Sequence, residues 1–200
     1  MSIYMLSPSP PIAIPEIPFA TWEGGFSDDD IKKIIEICNK ATLDKATVGE
    51  DATINEEIRV TKIGWIKLSP ETEFIYSMLG DIGNKLNGQF FDFDIWGFVE
   101  DLQYTVYEGT DDSHYTWHLD RGIGNTASPP RKLSLVLQLS DPSEYEGGDL
   151  EIMSGVDPTQ VKKEKGLVTA FPSFMLHRVT PVTKGIRRTL VVWLSGPRFK

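Results

Sequence analysis

From residue 90 onward the chain breaks into short β-type runs, and that half dictates the architecture. Eight runs can be read, at residues 90–98, 102–107, 115–119, 132–139, 149–153, 166–171, 175–180 and 187–193. They are rich in β-branched and aromatic residues and are separated by Gly, Pro, Asp and Ser, the residues that start turns. Strands this short and this closely spaced build sandwiches, barrels and jelly rolls. The run at 132–139 (KLSLVLQL) alternates most cleanly, with Leu133, Leu135, Leu137 and Leu139 on one face. The paired glycines of Glu144-Tyr145-Glu146-Gly147-Gly148-Asp149-Leu150 mark a turn needing conformations that other residues avoid. Upstream the period becomes helical. Ser27 can cap a helix whose first turn is Asp28-Asp29-Asp30, followed by Ile31, Ile34, Ile35 and Cys38 on one stripe. A strand at 59–68 leads to a second helix capped by Ser69, with Pro70 first, Phe74, Ile75, Met78, Leu79, Ile82 and Leu86 as its apolar face, and Gly88 as its end. Residues 43–55 read as a surface loop. The fold this predicts is mainly β, with two helices packed outside a double-sheet core.

Two hundred residues suffice for one domain and a short appendage. The proline-rich start (SPSPPIAIPEIPF within residues 1–22) reads as an extended arm, leaving 23–200 as the domain. That start lacks a basic leader region, and no run of eighteen apolar residues exists to span a membrane. A single cysteine, Cys38, excludes an internal disulfide and fits a reducing, cytoplasmic compartment. The formal charge of −9 makes nucleic acid a poor partner. Lys162, Lys163 and Lys165 read as a solvated turn between strands. Oligomeric state is not encoded legibly.

The chemistry concentrates in Trp117-His118-Leu119-Asp120. On an extended chain, side chains two apart share a face, so His118 and Asp120 aim an imidazole and a carboxylate at one point. His177 is the candidate third ligand, and two nitrogens plus one carboxylate suit non-haem Fe(II). The remaining histidine, His114, stands roughly 13 Å from His118 along a strand, too far for one ion. A helical His114/His118 zinc pair is the rival reading, but it wants a glutamate where Tyr115 stands.

In order along the chain stand Tyr107-x-Gly109, Tyr115-x-x-His118-x-Asp120, Tyr145-x-Gly147-Gly148-x-Leu150, Phe171-Pro172, and His177 with Arg187 ten residues on. With these motifs, residues 59–193 resemble the Fe(II)- and 2-oxoglutarate-dependent dioxygenases of the prolyl 4-hydroxylase-like group. The resemblance implies a double-stranded β-helix, or distorted jelly roll, holding Fe(II) on His118, Asp120 and His177. It implies O2 and 2-oxoglutarate as cosubstrates, with ascorbate as a possible auxiliary reductant. The distal carboxylate of 2-oxoglutarate would lie on Arg187, whose rival is Arg188; a guanidinium grips a carboxylate through two parallel hydrogen bonds. Tyr107, Leu135 and Thr189 would line the cosubstrate pocket, and Tyr115 and Tyr145 the substrate side. No catalytic residue is implied beyond the metal ligands. The implied reaction hydroxylates an unactivated C–H bond, in a prolyl or other residue of a peptide or protein, while 2-oxoglutarate becomes succinate and CO2. The same chemistry on a small molecule or a nucleic-acid base, or a catalytically silent metal-binding jelly roll, are the alternatives. Against the nucleic-acid branch, no arginine stands six residues beyond Arg187 or Arg188, where Trp193 and Leu194 are found.

Overall fold

The computed structural model describes residues 17–47, 54–121 and 129–199. Most of the expected proline-rich arm lies outside them. In chain order the first half holds β1 (Ala20–Trp22), α1 (Asp28–Cys38), β2 (Asp44–Lys45), β3 (Arg59–Val60), β4 (Lys62–Ile66) and α2 (Glu73–Leu86). Then follow β5 (Gly97–Phe98), β6 (Leu102–Glu108), β7 (His114–His118), β8 (Arg131–Gln138) and β9 (Tyr145–Gly147). The chain finishes with β10 (Leu150–Met153), β11 (Pro158–Gln160), β12 (Val168–Pro172), β13 (His177–Val179) and β14 (Val182–Ser195).

Two antiparallel sheets face each other. The larger runs β1-β12-β8-β14-β6-β4-β2, with β5 and β9 pairing along β14; the smaller runs β11-β10-β13-β7-β3. The helices cover the outer face of the larger sheet. Alternation along its three central strands sorts the side chains. Leu133, Leu135 and Leu137 of β8, Leu190, Val192 and Leu194 of β14, and Leu102, Tyr104 and Val106 of β6 pack against Ile75, Leu79, Ile82 and Leu86 of α2 and Ile31 and Ile34 of α1. The opposite parity faces the smaller sheet, where Tyr107, Val136, Leu150, Ile152, Phe171 and Val179 form a second core. The functional side chains stand in that inner layer.

The first helix starts as expected: Asp30 N donates to Ser27 Oγ at 3.1 Å and Ser27 N to the Asp30 carboxylate at 2.9 Å, a reciprocal cap. Its buried stripe runs through Ile31, Ile34, Ile37 and Cys38, with Ile35 only partly covered. Burial pushes the Cys38 thiol up to about 12, so it is inert core.

Five expectations are corrected. The second helix starts at Glu73, after Thr72, because Ser69-Pro70 and Thr72 close a turn in which Ser69 N donates to Thr72 Oγ1 at 2.8 Å. Gly88 does not end it. One π-helical turn, Asn87–Phe91, continues the helix to Asp92, which takes φ 50°. The strand expected at 90–98 is therefore reduced to Gly97–Phe98. The strand expected at 59–68 is two strands in different sheets, β3 on β7 and β4 on β6, with the switch at Thr61. The loop expected at 43–55 contributes β2. Among the described residues no helix is long and apolar enough to cross a membrane.

Candidate metal centre

The smaller sheet brings two histidines face to face. β7 and β13 pair antiparallel with His118 directly opposite His177, and Asp120 follows two residues after the end of β7. Asp120 Oδ1 lies 3.7 Å from His118 Nε2 and 3.6 Å from His177 Nε2. One ligand atom from each of the three residues fits within 4.8 Å of the others. The tautomers are set from behind. His118 Nδ1 lies 2.8 Å from Thr116 O and His177 Nδ1 2.9 Å from Met175 O. A carbonyl only accepts, so each Nδ1 carries the proton and each Nε2 turns a lone pair inward.

Charge follows the same logic. Burial, with His177 alongside, holds His118 down to about 3, so its imidazole is neutral and able to ligate at physiological pH. For Asp120, burial pushes the carboxyl up, but His177, His118 and the Ser134 hydroxyl outweigh it and bring it down to about 2. Ser134 Oγ donates to Asp120 Oδ2 at 2.7 Å and lies 2.9 Å from Ser173 Oγ. Arg131 Nη1 donates to Asp120 O at 3.1 Å while pairing with Glu100. Ser134 thus fixes the carboxylate, and Arg131 the main chain that bears it, from the larger sheet.

A cavity, open towards solvent, runs between the sheets from this cluster to Arg187. Arg187 is 3% exposed, and its Nε is buried without a hydrogen-bond partner among the described residues. Among the described residues no acid lies within ion-pair distance of it. Tyr107 and Thr189 line the same cavity, one from β6 and one from β14. Burial raises the Tyr107 hydroxyl, opposed by Arg59 and Arg187, so it remains a neutral donor. Arg188 points to the opposite face, near Tyr104 of the helix-side core. The Gly148 position matters to Arg187: a Cβ there would stand 3.0 Å from Arg187 Cδ and 2.7 Å from Val182 Cγ2, at φ 62°.

Two expected pocket residues stand elsewhere. Leu135 lies on the helix-facing side of β8, where a Cβ on Gly83 of α2 would meet it at 3.2 Å. Its neighbour Val136 lines the cavity instead, since adjacent strand residues take opposite faces. Tyr145 is buried behind Arg187, its hydroxyl accepting from Gln138 Nε2 at 3.1 Å, and does not line the cavity. Tyr115 does, stacked on His118 with ring centroids 3.4 Å apart. His114 sits at the far end of β7, its Nδ1 2.9 Å from Asp112 O, outside the ligand cluster. Because β7 is a strand, the helical zinc pair is not formed. Sequence reasoning missed Arg59, Gln103, Ser134 and the cavity role of Trp193. Inward parity on β6, β8 and β14 would have found the last three.

Fold and centre together define a two-sheet β-helix scaffold carrying a two-histidine, one-carboxylate group, the donor set that suits non-haem Fe(II). Residues 102–195 match the model of the 2OG-Fe(II) oxygenase superfamily. A PKHD-type hydroxylase of Teredinibacter turnerae is 41% identical over 85 residues, which are 41% of this chain and 38% of that protein. The chain thus spans about two fifths of the curated relatives it matches. Among solved structures, a Pseudomonas putida prolyl-4-hydroxylase superposes with a TM-score of 0.71 at 19% identity, covering 90% of this chain and 94% of that one. A Trichoplax adhaerens prolyl hydroxylase, solved with a hypoxia inducible factor peptide fragment, gives 0.72 at 16% identity, covering 89% and 83%. Both likenesses establish a prolyl-hydroxylase-like fold. The superfamily's name specifies Fe(II) and 2-oxoglutarate. The inward Nε2 atoms beside a carboxylate fit the metal, and the buried Arg187 guanidinium, with its unpaired Nε, fits a distal carboxylate.

Proposed function

We propose that this chain is a non-haem Fe(II)- and 2-oxoglutarate-dependent hydroxylase acting on a prolyl or other residue of a peptide or protein. The observation that carries this reading is a cavity with three convergent ligand atoms at one end and, at the other, a buried guanidinium whose Nε has no hydrogen-bond partner among the described residues. His118, Asp120 and His177 hold the metal, and Arg187 anchors the distal carboxylate of 2-oxoglutarate. Tyr107 and Thr189 flank that carboxylate, and Tyr115 borders the substrate side. When bound, Fe(II) and 2-oxoglutarate supply oxidation of an unactivated C–H bond by O2, coupled to loss of CO2 and formation of succinate.

The work left to the protein is orientation and exclusion. Backbone carbonyls of Thr116 and Met175 hold the two imidazoles in the ligating tautomer, and Ser134 keeps one carboxylate oxygen of Asp120 occupied. The apolar walls, Val136, Leu150 and Val179, keep water from the space between. Peptide or protein substrates are supported by the prolyl hydroxylases among the structural neighbours. Residues 23–200 form the oxygenase domain in this reading, and residues 1–22 contain the arm that precedes it.

An anaerobic Fe(II) titration with and without 2-oxoglutarate tests this reading. A weak visible charge-transfer band of a chelated keto acid is expected, and Asp120→Ala should remove it while leaving the far-ultraviolet circular dichroism unchanged. Tight zinc binding with no such band, or equal 2-oxoglutarate turnover in Asp120→Ala, would sink the proposal.

A further inference from the structure

Arg59 is a second buried guanidinium in the same cavity, and the chemistry above gives it no task. It belongs to the two-residue strand β3, which pairs Arg59 with Tyr115, and Thr116 N donates to Ile58 O at 2.8 Å. Its backbone is thereby fixed beside the strand that carries His118. The side chain is 8% exposed. Its Nε donates to Thr61 Oγ1 and its Nη2 to Gln103 Oε1, each at 3.0 Å. The guanidinium lies 4.5 Å over the Tyr115 ring, which itself stacks on His118. Arg59 is therefore two layers from a metal ligand.

All of these partners are neutral. They orient the cation without cancelling its charge, and among the described residues no carboxylate lies within ion-pair distance of Arg59. The fold supplies such partners elsewhere: Arg131 has Glu100 and Arg178 has Glu151. A buried charge left uncompensated is costly unless something arrives to meet it. Charge balance names what arrives. The cavity holds Arg59 and Arg187 against Asp120, since both histidines are ligands in neutral form. Fe(II) and dianionic 2-oxoglutarate cancel each other, which leaves one positive charge for the substrate to neutralise. Arg59 also lines a wide surface groove with Lys45, Lys62, Glu56 and Asp111, so it stands where that groove meets the metal cavity.

We propose that Arg59 is the specificity-determining residue that receives a carboxylate of the substrate, close to the C–H bond that reacts. The carboxylate comes either from a free amino acid or from an acidic residue of a peptide; the chemistry shared by both is a planar anion gripped by a fork of N–H donors. This rests on the hydroxylase reading and narrows its substrate.

The test uses the full chain loaded anaerobically with Fe(II) and 2-oxoglutarate. Calorimetric titration compares L-proline with L-prolinamide, and the blocked peptide acetyl-Gly-Pro-Asp-Gly-amide with its Asn counterpart. In at least one pair the acid should bind ten-fold or more tightly than its amide, and the pair that responds identifies the source of the carboxylate. Arg59→Gln should remove that preference and Arg59→Lys should keep part of it. Gln103→Glu should also remove it, by setting an internal carboxylate against an intact Arg59. That variant guards against misfolding of the arginine substitution. The inference is overturned if neither acid is preferred over its amide, or if the preference survives both Arg59→Gln and Gln103→Glu. It is equally overturned if Arg59→Gln weakens 2-oxoglutarate binding as far as loss of Arg187 does. Absence of the charge-transfer band in the unaltered protein would instead remove the hydroxylase reading itself.

Discussion

Replacing Arg187 by methionine separates what this residue does for the cosubstrate from what it does for the fold. The substitution keeps the buried stem and deletes a guanidinium that is 3% exposed, has one nitrogen without any partner and has no acid beside it among the described residues. Truncating a buried, hydrogen-bonded charge pair costs about 2–5 kcal/mol, so affinity for 2-oxoglutarate should fall by at least about 30-fold. Stability should move the other way. An unsatisfied buried donor costs about 1–3 kcal/mol, so without 2-oxoglutarate the variant should unfold at the same temperature as the parent or higher. The assay is the anaerobic Fe(II)–keto acid absorbance titrated with 2-oxoglutarate, beside thermal unfolding of the metal-free protein. A fall in affinity of less than three-fold, or a loss as large in Arg188→Met, would refute the assignment. So would a variant destabilised by several kcal/mol, because that would make Arg187 a structural residue.

Gly148→Ala should weaken 2-oxoglutarate binding without touching the metal ligands, since the added methyl meets Arg187 Cδ at 3.0 Å and Val182 Cγ2 at 2.7 Å on a backbone at φ 62°; Fe(II) affinity unchanged beside a raised 2-oxoglutarate requirement is the expected pattern. Leu135→Ala should lower stability to urea by about 2–5 kcal/mol, as for other fully buried leucines, and leave the 2-oxoglutarate affinity of the folded protein alone. The metal-free protein should lose stability as pH falls from 6.5 towards 3. His118 has a folded pKa lowered to about 3, so the unfolded chain binds its proton first and stabilisation is complete only above 6.5. Thermal unfolding in steps across that window checks this, and His118→Gln should flatten the response.

Much of this molecule is legible in the chain because period and parity carry it. The alternation at 132–139 assigns Leu133, Leu135 and Leu137 to one layer, and the His118-x-Asp120 spacing puts both side chains on one side before any partner strand is known. Where reading failed, a tertiary contact outweighed the local pattern. Phe91, Phe93 and Ile95 alternate like a strand, yet Asn87 caps the segment with its carboxamide, donating to Phe93 O at 2.9 Å and accepting from Phe93 N at 3.0 Å. That side chain replaces a neighbouring strand's backbone, and nothing in local period announces it. Leu135 was misassigned because alternation groups it with Leu133 and Leu137 without saying whether that face meets the helices or the cavity. Arg59 was hidden because a continuous strand through Thr61 gives no reason for the chain to change sheets. Tyr145 was misplaced because a turn's glycines show that the backbone bends but not which side of Arg187 the ring will occupy.

The long strand β14 carries Arg187, Thr189, Val191 and Trp193 on the cavity side and Leu190, Val192 and Leu194 on the helix side, all in one unbroken register with β6 and β8. Its fragile quantity is therefore length, more than residue identity. Inserting or deleting a single residue just before Arg187 would slide every later side chain by one and exchange the two faces together, sending the cation into the helix layer and leucines into the metal cavity. Drift in this lineage should show as substitution within β14, and as changes of length in the connections flanking it.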